Sequence, residues 1–314
     1  MRFTSRGGSD ILVASASSQS YLLFLMTTSE HPSTPELTRT DLTIVYINRG
    51  MGHLLLRSLK SLESAQPALT MQIIVVHVPG ADPPSLRDEA MAIVPSIEWI
   101  EHPRFGIALL RNLGIARATG RYVMMLDADT IVPKGSFERI IEFMDSHPKL
   151  AGCGPHTELP NGSVEYSVRR FYTAWTVPVR RSALSRYWPQ NPVLRYHLML
   201  DCNHARPLDI DWMAGACYVM RQEAIRHIGD FDESFFFGFE DVDWCYRAKL
   251  AGWHIGFVPD ATIIHDVQRS SARSWNRMAF EHLRSGLLFW DKHRMIPKPP
   301  AAGGERFPVA ASGR

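Results

Sequence analysis

The stretch "YVMMLDADTIVP", Tyr122 to Pro133, decides the fold. An apolar run suited to burial ends in two carboxylates, Asp127 and Asp129, two positions apart. In extended chain, residues two apart face the same side. The pair therefore either addresses one hard cation, Mg²⁺ or Mn²⁺, through oxygen ligands, or closes a turn by capping backbone amides. Spacing does not choose between them. The same pattern recurs at Asp209/Asp211, Asp230/Asp232 and Asp241/Asp243, and the chain has 17 aspartates. Context separates the first pair from the rest, because the run before it reads as a buried strand.

Upstream, "LTIVYI" (42–47) and "MQIIVVHV" (71–78) are two more buried strands, and "IEWIEH" is a short one. "HLLLRSLKSLESA" sets Leu55, Leu59 and Leu62 on one helical face. "GIALLRNLGIARAT" reads as a helix stopped by Gly120. The order strand, helix, strand, strand, helix, strand predicts an α/β fold with a mainly parallel sheet covered by helices. Ligands in such sheets sit beyond the carboxyl ends of the strands, where Asp127 and Asp129 lie.

Downstream, a helix starts near Ser136. Residues 156–209 show no clear period and read as long loops over a site. "IDWMAGACYVM" is a strand-like run, "RQEAIRHIG" and "FEDVDWCYRAKLAGW" are helices, and "HIGFVPDATIIHD" holds a last strand ending at His265. Turn or cap roles suit Asp209, Asp211, Asp230 and Asp232. Glu240, Asp241 and Asp243 open a helix, where carboxylates suit the dipole. An acid beside the aromatics Phe235, Phe236 and Phe237 also suits a tuned general base. Arg104 and Arg111 could meet phosphates or carboxylates, with exposure as the default.

With 314 residues, 45% of them hydrophobic, the chain can build one large domain or two small ones. Basic and acidic residues balance at 34 to 32, so no nucleic-acid partner is expected. Cys153, Cys202, Cys217 and Cys245 show neither metal spacing nor a dense disulfide pattern, which suits the cytoplasm. Apolar runs stay below the roughly 20 residues needed to span a bilayer. Residues 1–38 are a poor signal peptide and read as a disordered extension, and residues 296–314 as a flexible tail. No GxxxxGK or GxGxxG phosphate loop occurs.

Two blocks resemble a known family. "HPRFGIALLRNLGIARATGRYVMMLDADT" is similar to the donor half of family 2 glycosyltransferases with the GT-A fold, through Gly106, Asn112, Gly114, Ala118, Gly120 and the Asp127/Asp129 pair. Residues 212–265, "WMAGACYVM…ATIIH", resemble the acceptor half. The late "HLRSGLLFWDKH" looks closest to the rhamnosyltransferase-like branch. The resemblance implies one GT-A domain over 39–295, split into a donor-nucleotide half (39–155) and an acceptor half (156–295). It implies a nucleoside-diphosphate sugar donor, a divalent cation and a glycan or lipid-linked acceptor. Asp129, Asp127 and His265 would be the metal set. Asp127, Asn112 and Arg104 would face the nucleotide, Asp241 would be the general base, and Trp212, Gly215 and Glu240 would line the donor/acceptor pocket.

Two departures fall where the nucleobase would bind. Many relatives have Asp-Asn or Asp-Asp after the second strand and Tyr-Asn after the first. Here these are His77-Val78 and Ile47-Asn48. The Gln-x-x-Arg-Trp motif of processive synthases is absent, which favours single addition. The late helix, Met278 to Arg294, mixes apolar and basic residues and suits either a membrane surface or packing on the domain. A nucleotidyltransferase and a non-catalytic carbohydrate- or nucleotide-binding module are the alternatives.

Overall fold

The computed structural model describes residues 40–294, apart from 174, 183–184, 186, 189 and 268–276. The expected N-terminal extension and C-terminal tail lie outside the described residues. In chain order the elements are β1 (Leu42–Asn48), α1 (Gly52–Ala65), β2 (Met71–His77), α2 (Leu86–Ile93), β3 (Glu98–Glu101), α3 (Ile107–Ile115), β4 (Tyr122–Asp127) and β5 (Thr130–Ile131). Then come α4 (Ser136–Ser146), β6 (Leu150–Glu158), β7 (Val164–Glu165), β8 (Val168–Arg169), α5 (Thr176–Arg181), α6 (Pro192–His197), β9 (Leu208–Asp209) and β10 (Trp212–Met213). The chain continues through β11 (Cys217–Arg221), α7 (Gln222–Ile228), α8 (Glu240–Leu250), β12 (His254–His265) and α9 (Arg277–Lys292).

The main sheet runs β3-β2-β1-β4-β11-β6-β12-β5. The first four strands are parallel, β11 is antiparallel to both β4 and β6, and β12 runs parallel to β6. The central residues of β1, β2 and β4 are apolar because both faces are covered. Val45, Ile74, Val76, Val123 and Met125 point to one core, and Ile44, Ile73, Val75, Met124 and Leu126 to the other. The first core lies under α3, α7 and α8. The second takes Leu55, Leu59 and Leu62 from α1 and Phe137, Ile140 and Ile141 from α4. Leu59 is fully enclosed, so Leu59→Ala would cost about 2–5 kcal/mol.

The structure corrects several sequence expectations. Helix α3 ends at Ile115, so Gly120 does not stop it. Gly120 lets the chain pass β1, since a Cβ there would lie 2.6 Å from the Thr43 backbone nitrogen. Helix α2 and strand β6 were not anticipated. Leu86 and Ala90 are the buried residues of α2, too short a stripe to show a period. The run "IDWMAGACYVM" is two strands, with β10 paired to β8 in a separate small sheet and β11 in the main one. Among the described residues, 156–209 carry four short strand or helix pieces between β6 and β9 instead of loops alone.

Candidate active site

Four parallel strands bring Asn48, His77 and Asp127 to one edge. Strand β4 ends at Asp127, and its amide donates to the carbonyl of Ala216, at 2.9 Å. The short β5 then pairs with the end of β12, placing Thr130 opposite His265. This pairing explains how a histidine 136 residues after Asp129 reaches it. One ligand atom from each of Asp127, Asp129 and His265 lies within 4.8 Å of the others. The chain turns at 128–129, where Thr130 Oγ1 donates to the Asp127 carbonyl at 2.7 Å.

His265 Nε2 lies 3.3 Å from Asp129 Oδ1, and Nδ1 lies 2.7 Å from Glu165 Oε2. Burial opposes a charge on His265, yet these two acids push it up to about 10. A carboxylate behind a ligating histidine is the arrangement that orients imidazole toward a metal. The donor set of two carboxylates, an imidazole and an orienting glutamate therefore fits a divalent cation. Desolvation raises Asp127 to about 6, with Arg111 opposing it. Two fifths of the Asp127 side chain still meets solvent, and a cation between the acids would reverse the shift.

Arg111 links this cluster to the second motif. Its guanidinium lies 4.0 Å from Asp127 and 2.5 Å from Glu240. The expectation of exposure for Arg111 is wrong: it is 2% exposed. With Ala108 and Ile115 it shares the inward face of α3, and that helical spacing was the signal available in sequence. Glu240 is equally enclosed, and its carboxyl is raised by burial.

The next residue, Asp241, faces a cavity of about 190 Å³ shared with Trp212, Gly215, Tyr172, Arg169 and Arg180. Burial, then the Glu240 charge, raises Asp241 to about 7. The turn that presents these acids is strained. Gly238 and Phe239 both have positive φ, at 75° and 71°. A bulky residue rarely adopts that conformation. Stacking of Phe239 on Tyr172 (4.8 Å) and contact with Phe289 (5.7 Å) hold it. Gly238 also leaves no room for a Cβ, which would lie 2.7 Å from His282.

The remaining residues singled out in sequence fall as follows. Asn112 is committed to structure: Nδ2 donates to the Phe231 carbonyl and Glu233, and Oδ1 accepts from the Phe231 amide. Its side-chain amide is thus taken up by the 231–233 segment. Arg104 is exposed between β3 and α3, with its backbone turned on His102. Asp209 pairs with Lys249, and Asp211 accepts from the Phe171 amide. Asp232 accepts from the amide of Ser234. Asp243 turns away from the cavity to Arg247, Lys292 and His293. At the nucleobase departures, Asn48 Nδ2 donates to His77 (3.0 Å) and to Asp82 (2.9 Å). Asp82, missed in sequence, also accepts from the amides of Gly50 and Gly52, both at 2.7 Å. Glu165, Arg169 and Arg180 were missed because their segment shows no period.

Comparison with known proteins agrees with this geometry. A family model described as glycosyltransferase like family 2 matches residues 53–286. An N-acetylglucosaminyl-diphospho-decaprenol L-rhamnosyltransferase of Mycobacterium tuberculosis is 28% identical over 174 residues, 55% of this chain and 56% of that protein. A pre-mycofactocin glycosyltransferase of the same species is 29% identical over 263 residues, 81% of this chain and 48% of that protein. The chain thus spans about half the length of these curated relatives. Among solved structures, GalNAc-T7 with UDP, GalNAc and Mn²⁺ superposes with a TM-score of 0.61 at 14% identity, over 82% of this chain and 50% of that one. The sheet is accordingly that of the GT-A glycosyltransferases, and the chain belongs to the glycosyltransferase-like family 2.

Proposed function

We propose that the protein is an inverting, cation-dependent glycosyltransferase. It would move one sugar from a nucleoside-diphosphate sugar to an acceptor hydroxyl. One observation carries the reading: a three-residue cation set at the sheet edge is tied through Arg111 to Glu240, whose neighbour Asp241 lines an enclosed cavity. A binding module needs no such base.

Asp129, Asp127 and His265 would hold Mg²⁺ or Mn²⁺, oriented by Glu165. A cation bound there supplies charge neutralisation for the leaving diphosphate. Asp241 takes the proton of the acceptor hydroxyl as that oxygen bonds the anomeric carbon. The bond from that carbon to the diphosphate breaks in the same displacement, and the nucleoside diphosphate leaves with the electron pair. A carboxyl poised near neutrality suits this work, because it is ionised at working pH yet still basic. Trp212, Tyr172 and the Gly215 turn hold the acceptor in line, which converts an encounter into a positioned reaction. Glu240 fixes Arg111 and keeps the two halves in register.

The relatives named above support a glycan or lipid-linked acceptor and a role in cell-envelope polysaccharide synthesis. Among the described residues no helix is long and apolar enough to cross a membrane. Action in the cytoplasm, or at the inner face of the cytoplasmic membrane, fits that acceptor.

A panel of nucleotide sugars with Mg²⁺ or Mn²⁺, read by released nucleoside diphosphate and by the anomeric configuration of the product, tests the proposal. Release stopped by a chelator, with inverted product, is expected. Release of pyrophosphate instead would identify a nucleotidyltransferase.

A further inference from the structure

We infer that Arg169 and Arg180 form a subsite for a phosphate or diphosphate ester carried by the acceptor, beside the carboxylate that activates its hydroxyl. The inference rests on the proposed transfer reaction and names the acceptor class.

Both arginines line the Asp241 cavity. Three nearby arginines lie against acids: Arg111 with Glu240, Arg170 with Asp201 at 2.7 Å, and Arg247 with Asp243 at 2.8 Å. Among the described residues no acid forms an ion pair with Arg169 or Arg180, and the Arg180 side chain bonds Tyr172 instead. Arg169 donates Nη1 to the Val168 carbonyl at 2.9 Å, while its shielded Nε finds no acceptor. A shielded guanidinium nitrogen without an acceptor is costly. Burial and then the neighbouring Arg180 charge pull Arg169 down to about 10. Two like charges held at one cavity repel, and a bound anion removes the repulsion. Guanidinium forks suit phosphate oxygens in particular.

The rest of the cavity agrees. Tyr172 stacks on Trp212 with centroids 5.6 Å apart, a flat apolar wall for the face of a sugar ring. His197, behind that wall, is kept neutral: burial and then the two arginines pull it down to about 3. Among the described residues no carboxylate other than Asp241 lines the cavity, and Asp241 must stay unpaired to accept a proton. The segment that carries Arg180 also turns Trp175, Tyr187 and Trp188 outward, at 70%, 83% and 53% exposure. Exposed Trp and Tyr beside basic residues suit a membrane interface, which favours a lipid-borne phosphate over a soluble one.

Calorimetry with inorganic pyrophosphate, in chelator so that no cation bridges it to the acids, tests the subsite. Native protein should bind, and Arg180→Gln and Arg169→Gln should each weaken binding at least tenfold. Arg180 is exposed, so its variant is expected to fold even if that of Arg169 is not. Nucleoside diphosphate binding with Mn²⁺ should stay within twofold in both variants; its absence from native protein would instead refute the proposed function. Pyrophosphate that ignores the native protein, or binds all three proteins alike, overturns the inference. Two further arms identify the source: a sugar 1-phosphate in solution, and zwitterionic vesicles carrying polyprenyl diphosphate. Arginine-dependent retention on the vesicles marks a lipid-borne ester. Arginine-dependent binding of the sugar phosphate alone marks a soluble one.

Discussion

The two sides of the cleft carry opposite excess charge. On one side Asp127, Asp129 and Glu165 crowd around a single imidazole, His265. On the other, Arg169 and Arg180 share a cavity whose only acid among the described residues is Asp241. Neither side is balanced by its own residues. Between them the Arg111–Glu240 pair is balanced and enclosed. The contrast teaches which charges serve the fold and which wait for a ligand. In the proposed reading, paired groups position the site, while the unpaired excess would take a cation on one side and an anion on the other.

The largest expected effect tests the base. Asp241→Asn keeps the shape of the side chain and removes its basicity, so kcat should fall about 10²- to 10⁴-fold. Nucleotide affinity should barely change. Wild-type turnover in this variant would remove Asp241 from the reaction and leave the acceptor side with no chemistry.

Next comes the balanced pair between the two sides. Arg111→Met leaves Glu240 enclosed without its counter-charge. Denaturant melts should show a loss of about 3–5 kcal/mol. A stability change below 1 kcal/mol would mean that the pair is not the joint between the halves.

On the acidic side, Glu165→Gln keeps a partner for His265 Nδ1 and removes a charge. Mn²⁺ affinity, followed by the ion's electron paramagnetic resonance, should drop about 10- to 100-fold. Unchanged affinity would reduce Glu165 to a surface contact.

The smallest effect is graded with pH. With Asp241 as the proposed base its ionised form would be the active one, so kcat/KM should climb tenfold per unit below about 7 and flatten above it. Stability runs the other way. A carboxyl raised from 3.8 to about 7 contributes stability at low pH that is lost as pH rises through that window. A flat rate profile between pH 5 and 8 would contradict the assignment.

The sides also differ in how much the sequence reveals. The donor edge was legible because strands enclosed on both faces must be apolar, as in β1, β2 and β4. Their ends then fixed the place of Asp127. His265 was legible only as the end of a strand; its meeting with Asp129 depends on the two-residue pairing of β5 with β12, which leaves no pattern in composition. Arg111 was hidden by the expectation that arginines are exposed, although its spacing from Ala108 and Ile115 marked the inward face. Glu165, Arg169 and Arg180 come from short pieces held by tertiary contacts. There propensity is overridden, and no period survives to be read.

Crystals grown with the nucleoside diphosphate and Mn²⁺, with the ion located by its anomalous scattering, would test the arrangement most directly. A peak bonded to Asp129 and His265, with the diphosphate bridging toward the Asp241 cavity, is the expected result. A peak elsewhere, or a nucleotide bound with no ion at the 127–129 turn, would contradict it.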